Sequence, residues 1–357
     1  MVAAHVARRH TSTLVEFVLL VQSSELVWEF EMRSHRVFCL AAFLLFSPGA
    51  AVHAVAQSYP TKPIRMIVPF APGGPNDILA RLVAPKLTEQ LGQSVVIENR
   101  GGAGGTIGME MLAKLPGDGY AVAMGGSSNL AVAPSLYEKL GYDPAKDFAP
   151  IINVAAVPYA LAVNPSVPAK TVKELIVLAS RKAKYLSYGS SGTGSMSSLA
   201  AELFKHMSKT DIVHVPYKGT APALTDVVTG QIEMMFADLG IAQTHAAAGR
   251  LRLLGISTPK RSRAAPQLPT IAEAGVPGYE VSPWFGLVGP SGVPREIITR
   301  LNGVIAAGLK APDVLQRLNT LGYEPLGDTP EHFVSTIRAD IAKYAKIVQS
   351  AGIKIEN

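Results

Sequence analysis

The strongest constraint on the fold is the way apolar runs end in glycine-rich turns that open directly onto helices. The first instance is residues 68–77, VPFAPGGPND, between the apolar run 64–68 and the periodic segment 78–83. The run reads as a buried strand and the segment as an amphipathic helix. Between them Gly73 and Gly74 carry no Cβ, so the backbone turns sharply and lets a bound group come close. Pro75 and Asn76 suit the first turn or cap of the helix. The N–H groups freed there favour a carboxylate or phosphate. A plain strand-to-helix connection accounts for this one loop equally well.

The pattern recurs along the chain. A strand over 94–99 runs into Arg100-Gly101-Gly102-Ala103-Gly104-Gly105, then a helix over 107–115, and then a strand over 120–124 that ends in Gly125-Gly126-Ser127-Ser128-Asn129. Residues 149–164 are nearly continuously apolar around Pro158 and can carry the chain from one domain to another. A second alternating set follows. It has helices over 171–181, 199–207 and 223–229 and strands over 186–188, 212–215, 234–236 and 253–257, with polar turns after Tyr188, Val215 and Phe236. A return crossing is expected over 281–288, and helices over 295–307, 313–321 and 330–350 close the chain. Strands alternating with helices at this spacing predict parallel βαβ units. Ligands of such sheets sit beyond the carboxyl ends of the strands, so the turns point to one crevice.

With 357 residues, 48% of them hydrophobic, the chain can bury two cores. Its net charge of +6 is scattered, and the densest run, Pro259-Lys260-Arg261-Ser262-Arg263, reads as a solvated loop. No strip of aromatic and basic residues suits nucleic acid. From Met32 a basic start, ten apolar residues (37–46) and Ala54-Val55-Ala56 match a secretory signal cleaved after Ala56. That apolar run is too short to span a bilayer. Translation is expected to start at Met32, with 1–31 a spurious extension and the mature protein periplasmic. Cys39, the single cysteine, falls in the removed segment, so neither a disulfide nor a cysteine metal site is available.

Catalytic motifs are weak by comparison. Gly102, Gly104 and Gly108 follow a strand and open a helix, but the next strand ends in Gly125-Gly126-Ser127 where a dinucleotide site needs an acid. No P-loop triplet occurs. In the turn Gly189-Ser190-Ser191-Gly192-Thr193-Gly194-Ser195, Thr193 stands where a nucleophile elbow around Ser191 needs glycine. The turn reads as a cradle of hydroxyls and N–H groups for an oxyanion, or as a plain helix cap. His206, His214, His245 and His332 form no metal-ligand pair and stand beside no candidate nucleophile. Asp77 and Asp238 could meet a ligand amine or hydroxyl, or Asp77 could serve only its own helix. Lys218 is the one cation in a cleft turn of the second set. Trp284 is core packing at the return crossing or a cleft wall.

Taken together, these stretches resemble the Bug family, the extracytoplasmic receptors of tripartite tricarboxylate transporters. The marks are residues 69–77, PFAPGGPND; 98–105, ENRGGAGG; 215–219, VPYKG; and 268–279, LPTIAEAGVPGY, in order behind a signal. The resemblance implies a type II periplasmic-binding-protein fold of two α/β lobes joined by two crossing strands. Lobe 1 would comprise 57–157 and 280–357, and lobe 2 would comprise 158–279. It implies that a small carboxylate (organic acid, amino acid or aromatic acid) is bound without cofactor. The contacts carried over are Phe70, Ala71, Pro72, Gly73, Gly74, Asp77, Ser127 and Ser128 from one lobe. From the other they are Ser190, Ser191, Gly192, Thr193, Gly194, Ser195, Tyr217, Lys218 and Asp238. A monomer delivering to membrane permease subunits is implied. Ser198 departs from the family pattern, which has histidine there, so ligand preference is not carried over. The alternatives are a nucleotide-dependent or hydrolytic enzyme using the same loops, and a ligand sensor without a permease.

Overall fold

The computed structural model describes residues 59–181 and 186–353. The expected signal segment, the start at Met32 and Cys39 lie outside them. The chain opens with β1 (Ile64–Val68), α1 (Pro75–Leu91), β2 (Val95–Asn99), α2 (Thr106–Ala113), β3 (Ala121–Gly126), α3 (Ala133–Leu136) and β4 (Phe148–Ala156). It continues with β5 (Tyr159–Val163), α4 (Val172–Arg181), β6 (Ser187–Ser190), α5 (Met196–Ser208), β7 (Val213–Pro216), α6 (Thr220–Thr229), β8 (Met234–Asp238), α7 (Leu239–Ala247) and β9 (Arg252–Ile256). It closes with β10 (Trp284–Pro290), α8 (Arg295–Gly308), α9 (Pro312–Leu321), β11 (Glu324–Pro325) and α10 (Pro330–Ser350).

Two mixed sheets result. The first has the order β11-β4-β10-β3-β1-β2 and the second β7-β6-β8-β5-β9. In the first, β2, β1 and β3 are parallel and β10 runs against β3 and β4. In the second, β7, β6 and β8 are parallel and β5 runs against β8 and β9. Strand β1, paired on both sides by β2 and β3, is apolar: Ile64, Met66, Ile67 and Val68 are fully buried.

The chain leaves the first sheet between β4 and β5, at Val157-Pro158, and returns along 281–284. The two passages lie side by side. Val157 N–H donates to Pro283 O at 2.9 Å, Val281 N–H to Ser257 O at 2.8 Å, and Ser257 N–H to Tyr159 O at 2.8 Å. Among the described residues this hydrogen-bonded pair is all that the backbone sends between the sheets. Trp284 stands at its start as core packing. It is 5% exposed, its ring meets Phe333 edge-on, and its Nε1–H donates to Asp340 on α10 at 2.5 Å.

The polar turn expected after residue 124 is in fact the end of β3, which runs through Gly125-Gly126, followed by a wide π-type turn over Ser128–Val132. Both α7 and the two-residue β11 were without a sequence signal. Helix α7, LGIAQTHAA, carries no apolar stripe, and β11 exists only through its pairing with β4. Among the described residues no helix is long and apolar enough to cross a membrane.

Candidate functional site

The turn after β1 is held by its own lobe. The Asp77 carboxylate is almost fully buried and accepts from Gly73 N–H at 3.0 Å, Arg81 Nε at 2.9 Å and Asn99 Nδ2 at 3.1 Å. Burial opposes its charge, but the hydrogen bonds from Arg81, Gly73 and Asn99 hold its pKa below the ordinary aspartate value. Asn99 Nδ2 also holds Phe70 O at 3.0 Å, and Asn76 Nδ2 holds Met124 O at 2.8 Å. Gly73 adopts φ +86°, a left-handed backbone that suits glycine. The turn is therefore fixed from behind, with α1 starting at Pro75 and no side-chain cap on its first N–H groups. The expected ligand contact Asp77 has its carboxylate oxygens engaged within its lobe.

The turn after β6 is a closed hydroxyl network. Ser191 Oγ lies 3.0 Å from Ser197 Oγ, Ser195 Oγ lies 3.0 Å from the same atom, and Ser191 N–H donates to Ser197 Oγ at 2.9 Å. Ser195 caps α5 by accepting from Ser198 N–H at 3.2 Å. One expectation needs correction: a histidine does stand beside a serine. Ser190 Oγ is 2.7 Å from His214 Nε2, because parallel pairing puts Tyr188 opposite His214 and brings Ser190, two residues on, to the same face. The His214 ring stacks on Tyr188 at 4.6 Å, and burial lowers its pKa. The pair does not make a nucleophile. Ser190 is fully buried, its oxygen also accepts Gly192 N–H at 3.2 Å, and among the described residues no carboxylate hydrogen-bonds His214.

The structure brings the turns of the two lobes into contact. A Cβ on Gly73 would lie 3.5 Å from the Ala221 Cβ, one on Gly74 3.3 Å from Thr220 Oγ1, and one on Gly219 2.8 Å from the Ala71 Cβ. A Cβ on Gly101 would sit 3.4 Å from Lys218 O, and one on Gly104 2.6 Å from Thr193 O. The start of α1 thus faces the start of α6, and the start of α2 lies beside the turn that opens α5. These are closed rims.

Beneath them two buried polar atoms have no partner, Ser127 Oγ and Asn129 Nδ2. Asn129 turns its Oδ1 to Gly126 N–H at 3.0 Å, and its Nδ2 lies 2.8 Å from where a Gly105 Cβ would be, beside Phe70. Ser128 is buried next to them. Asn129 is not among the contacts expected from the sequence. It closes the polar turn 125–129, but only the π-type turn aims its amide inward.

Tyr217, Lys218 and Asp238 are placed differently. The Tyr217 hydroxyl donates to Asp226 on the following helix α6 at 2.5 Å, and the Lys218 side chain is exposed although its carbonyl faces the other lobe. Arg100 is paired with Glu98. Asp238 is 1% exposed and its Oδ1 caps α7 by accepting Ile241 N–H at 2.9 Å. Its Oδ2 and the Tyr323 hydroxyl are neighbours without a well-formed hydrogen bond, and burial pushes the carboxyl up to about 6. Among the described residues no cluster of His, Cys, Asp and Glu could hold a metal.

Residues 79–353 match the Tripartite tricarboxylate transporter family receptor. Protein BugT of Bordetella pertussis is 34% identical over 326 residues, 91% of this chain and 100% of that protein. The solved structure of R. palustris Rpa4515 with adipate is 42% identical with a TM-score of 0.80, over 83% of this chain and 100% of that one. MatC (Rpa3494) from Rhodopseudomonas palustris with bound malate is 32% identical with a TM-score of 0.78, over 81% and 100%. A structure of BugD, also 34% identical, has a TM-score of 0.80. With its two α/β lobes and paired crossing strands, the chain belongs to the receptors of the tripartite tricarboxylate transporter family.

Proposed function

We propose that this receptor is extracytoplasmic, closes on a small carboxylate between its lobes, and hands it unaltered to the permease of a tripartite tricarboxylate transporter. In this reading the lobes are 57–157 with 280–357, and 158–279. The observation that carries it is the pair of unpartnered buried groups, Ser127 Oγ and Asn129 Nδ2, under rims built from helix starts of opposite lobes. An unpartnered buried polar group costs roughly 1–3 kcal/mol, which an oxyanion between the lobes would offset. Helix starts supply positive potential where no cationic side chain does: Lys218 is exposed and Arg100 is paired with Glu98.

The ligand contacts in this reading are the backbone of Phe70, Ala71, Pro72, Gly73 and Gly74, the side chains of Ser127 and Asn129, and the N–H groups of Thr193 and Gly194, since those of Ser191, Gly192 and Ser195 are hydrogen-bonded within the turn. Asp77 shapes the first turn and Asp238 caps α7 rather than meeting the ligand. The adipate and malate in two relatives support a carboxylate. The Ser190–His214 contact does not favour hydrolysis, since its serine is buried and already hydrogen-bonded.

Mass spectrometry of what co-purifies with the protein tests this directly. A carboxylic acid released on denaturation, and recovered at the same mass after prolonged incubation with the receptor, is the expected result. Loss of the acid to a product, or a nucleotide in its place, would overturn the reading.

A further inference from the structure

We infer that Tyr137 is a catch between the rims of the cleft and sets how long the closed receptor keeps its ligand; the inference rests on the receptor reading above. Tyr137 ends α3, where its backbone leaves the helical conformation and its N–H donates to Ala133 O at 3.0 Å. Its ring reaches across the seam. The hydroxyl lies 2.8 Å from Ala103 O in its own lobe and 3.1 Å from Thr193 O in the other, so one proton is shared between acceptors on both sides. Among the described residues no other side chain hydrogen-bonds across the facing turns.

The two acceptors are prepared for it. Ala103 holds φ +46°, a left-handed conformation unusual for a residue with a Cβ, and Thr106 Oγ1–H also donates to its carbonyl at 2.9 Å. The strained turn thereby keeps its carbonyl under the phenol whether or not the lobes are together. Across the seam Gly194, at φ +79°, leaves room for the ring; a Cβ there would lie 2.8 Å from the hydroxyl and 3.1 Å from the ring edge. Burial raises the phenol's pKa, so it stays a proton donor across the physiological range. Thr193 O is met only when the lobes close, so the contact strengthens the closed state alone.

One net neutral hydrogen bond shifts an equilibrium about 2- to 10-fold. Because the catch forms after the ligand enters, the effect belongs to dissociation rather than association. Tyr137→Phe removes the hydroxyl and keeps the ring. Dyes on unnatural amino acids at the exposed positions Gln90 and Ser180, one in each lobe, report closure by single-molecule energy transfer without any ligand. The variant is expected to shorten the closed dwell about 2- to 10-fold, and to raise koff of the co-purifying carboxylate by the same factor at unchanged kon. Gly194→Ala, which crowds the hydroxyl, should shorten the dwell too and add less than its full effect to Tyr137→Phe. An unchanged dwell in both variants would overturn the inference. If no carboxylate binds either protein, the receptor reading falls while the dwell times still decide whether the catch exists.

Discussion

Asn129 is the residue on which the site turns. Its Oδ1 is fixed by Gly126 N–H, which leaves its amide nitrogen beside Gly105 and Phe70 with no protein acceptor. Asn129→Ala should therefore weaken carboxylate binding by roughly 1.5–3 kcal/mol, about 10- to 100-fold, and also lower stability by roughly 1 kcal/mol because Gly126 N–H loses its acceptor. Titration calorimetry of the variant with the co-purifying acid checks it, and equal affinity would remove Asn129 from the site. Asp238 makes a prediction about pH. An unfolded aspartate ionises near pH ~4, whereas burial pushes this one up to about 6 in the fold. The folded chain holds the proton longer, so the stability linked to it is fully present below about pH 4 and lost as pH rises through about 6. Asp238→Asn keeps an acceptor for Ile241 N–H and removes the charge. It should be more stable than the parent by roughly 3 kcal/mol at pH 8 and about equal to it at pH 4, in urea melts at the two pH values. A gain that does not vary with pH would contradict the assignment.

At the level of elements, α5 shows how the second turn is held. Ser195 caps the helix and belongs to the same hydroxyl network as Ser191 and Ser197. Ser195→Ala should lower stability by about 1 kcal/mol and loosen the turn that faces Gly104, visible as faster amide exchange over 190–198. Most elements were readable in advance because their apolar spacing is local information: β1, β2, α5 and the helices from Arg295 onward lie within a few residues of expectation. What was not readable depends on contacts distant in sequence. The two-residue β11 needs β4, and α7 shows no stripe because Leu239, Gly240 and Ala242 are all buried. Among site residues, the glycine turns were legible from their chemistry. The engagement of Asp77 by Arg81 and Asn99, of Tyr217 by Asp226, and of Ser190 by His214 was not, since each depends on which neighbour the fold supplies.

For the whole molecule, the consequential fact is that the rims touch while the lobes, among the described residues, share only two backbone passages. A glycine at a rim contact is therefore a statement about closure. Gly219 is the sharpest case: its backbone is extended rather than left-handed, and the Ala71 Cβ of the other lobe is only 2.8 Å from where its own Cβ would be. A side chain there collides with the opposite lobe only in the closed form. Affinity falls in proportion to the closed population that remains accessible.

The most direct measurement is a calorimetric titration of the co-purifying carboxylate into the parent protein and into Gly219→Val. The account predicts one-to-one binding by the parent and a loss of at least about tenfold in the variant, because the ligand is held only when both lobes reach it. Equal affinity in the two proteins would contradict it, since the acid would then be bound by one lobe alone.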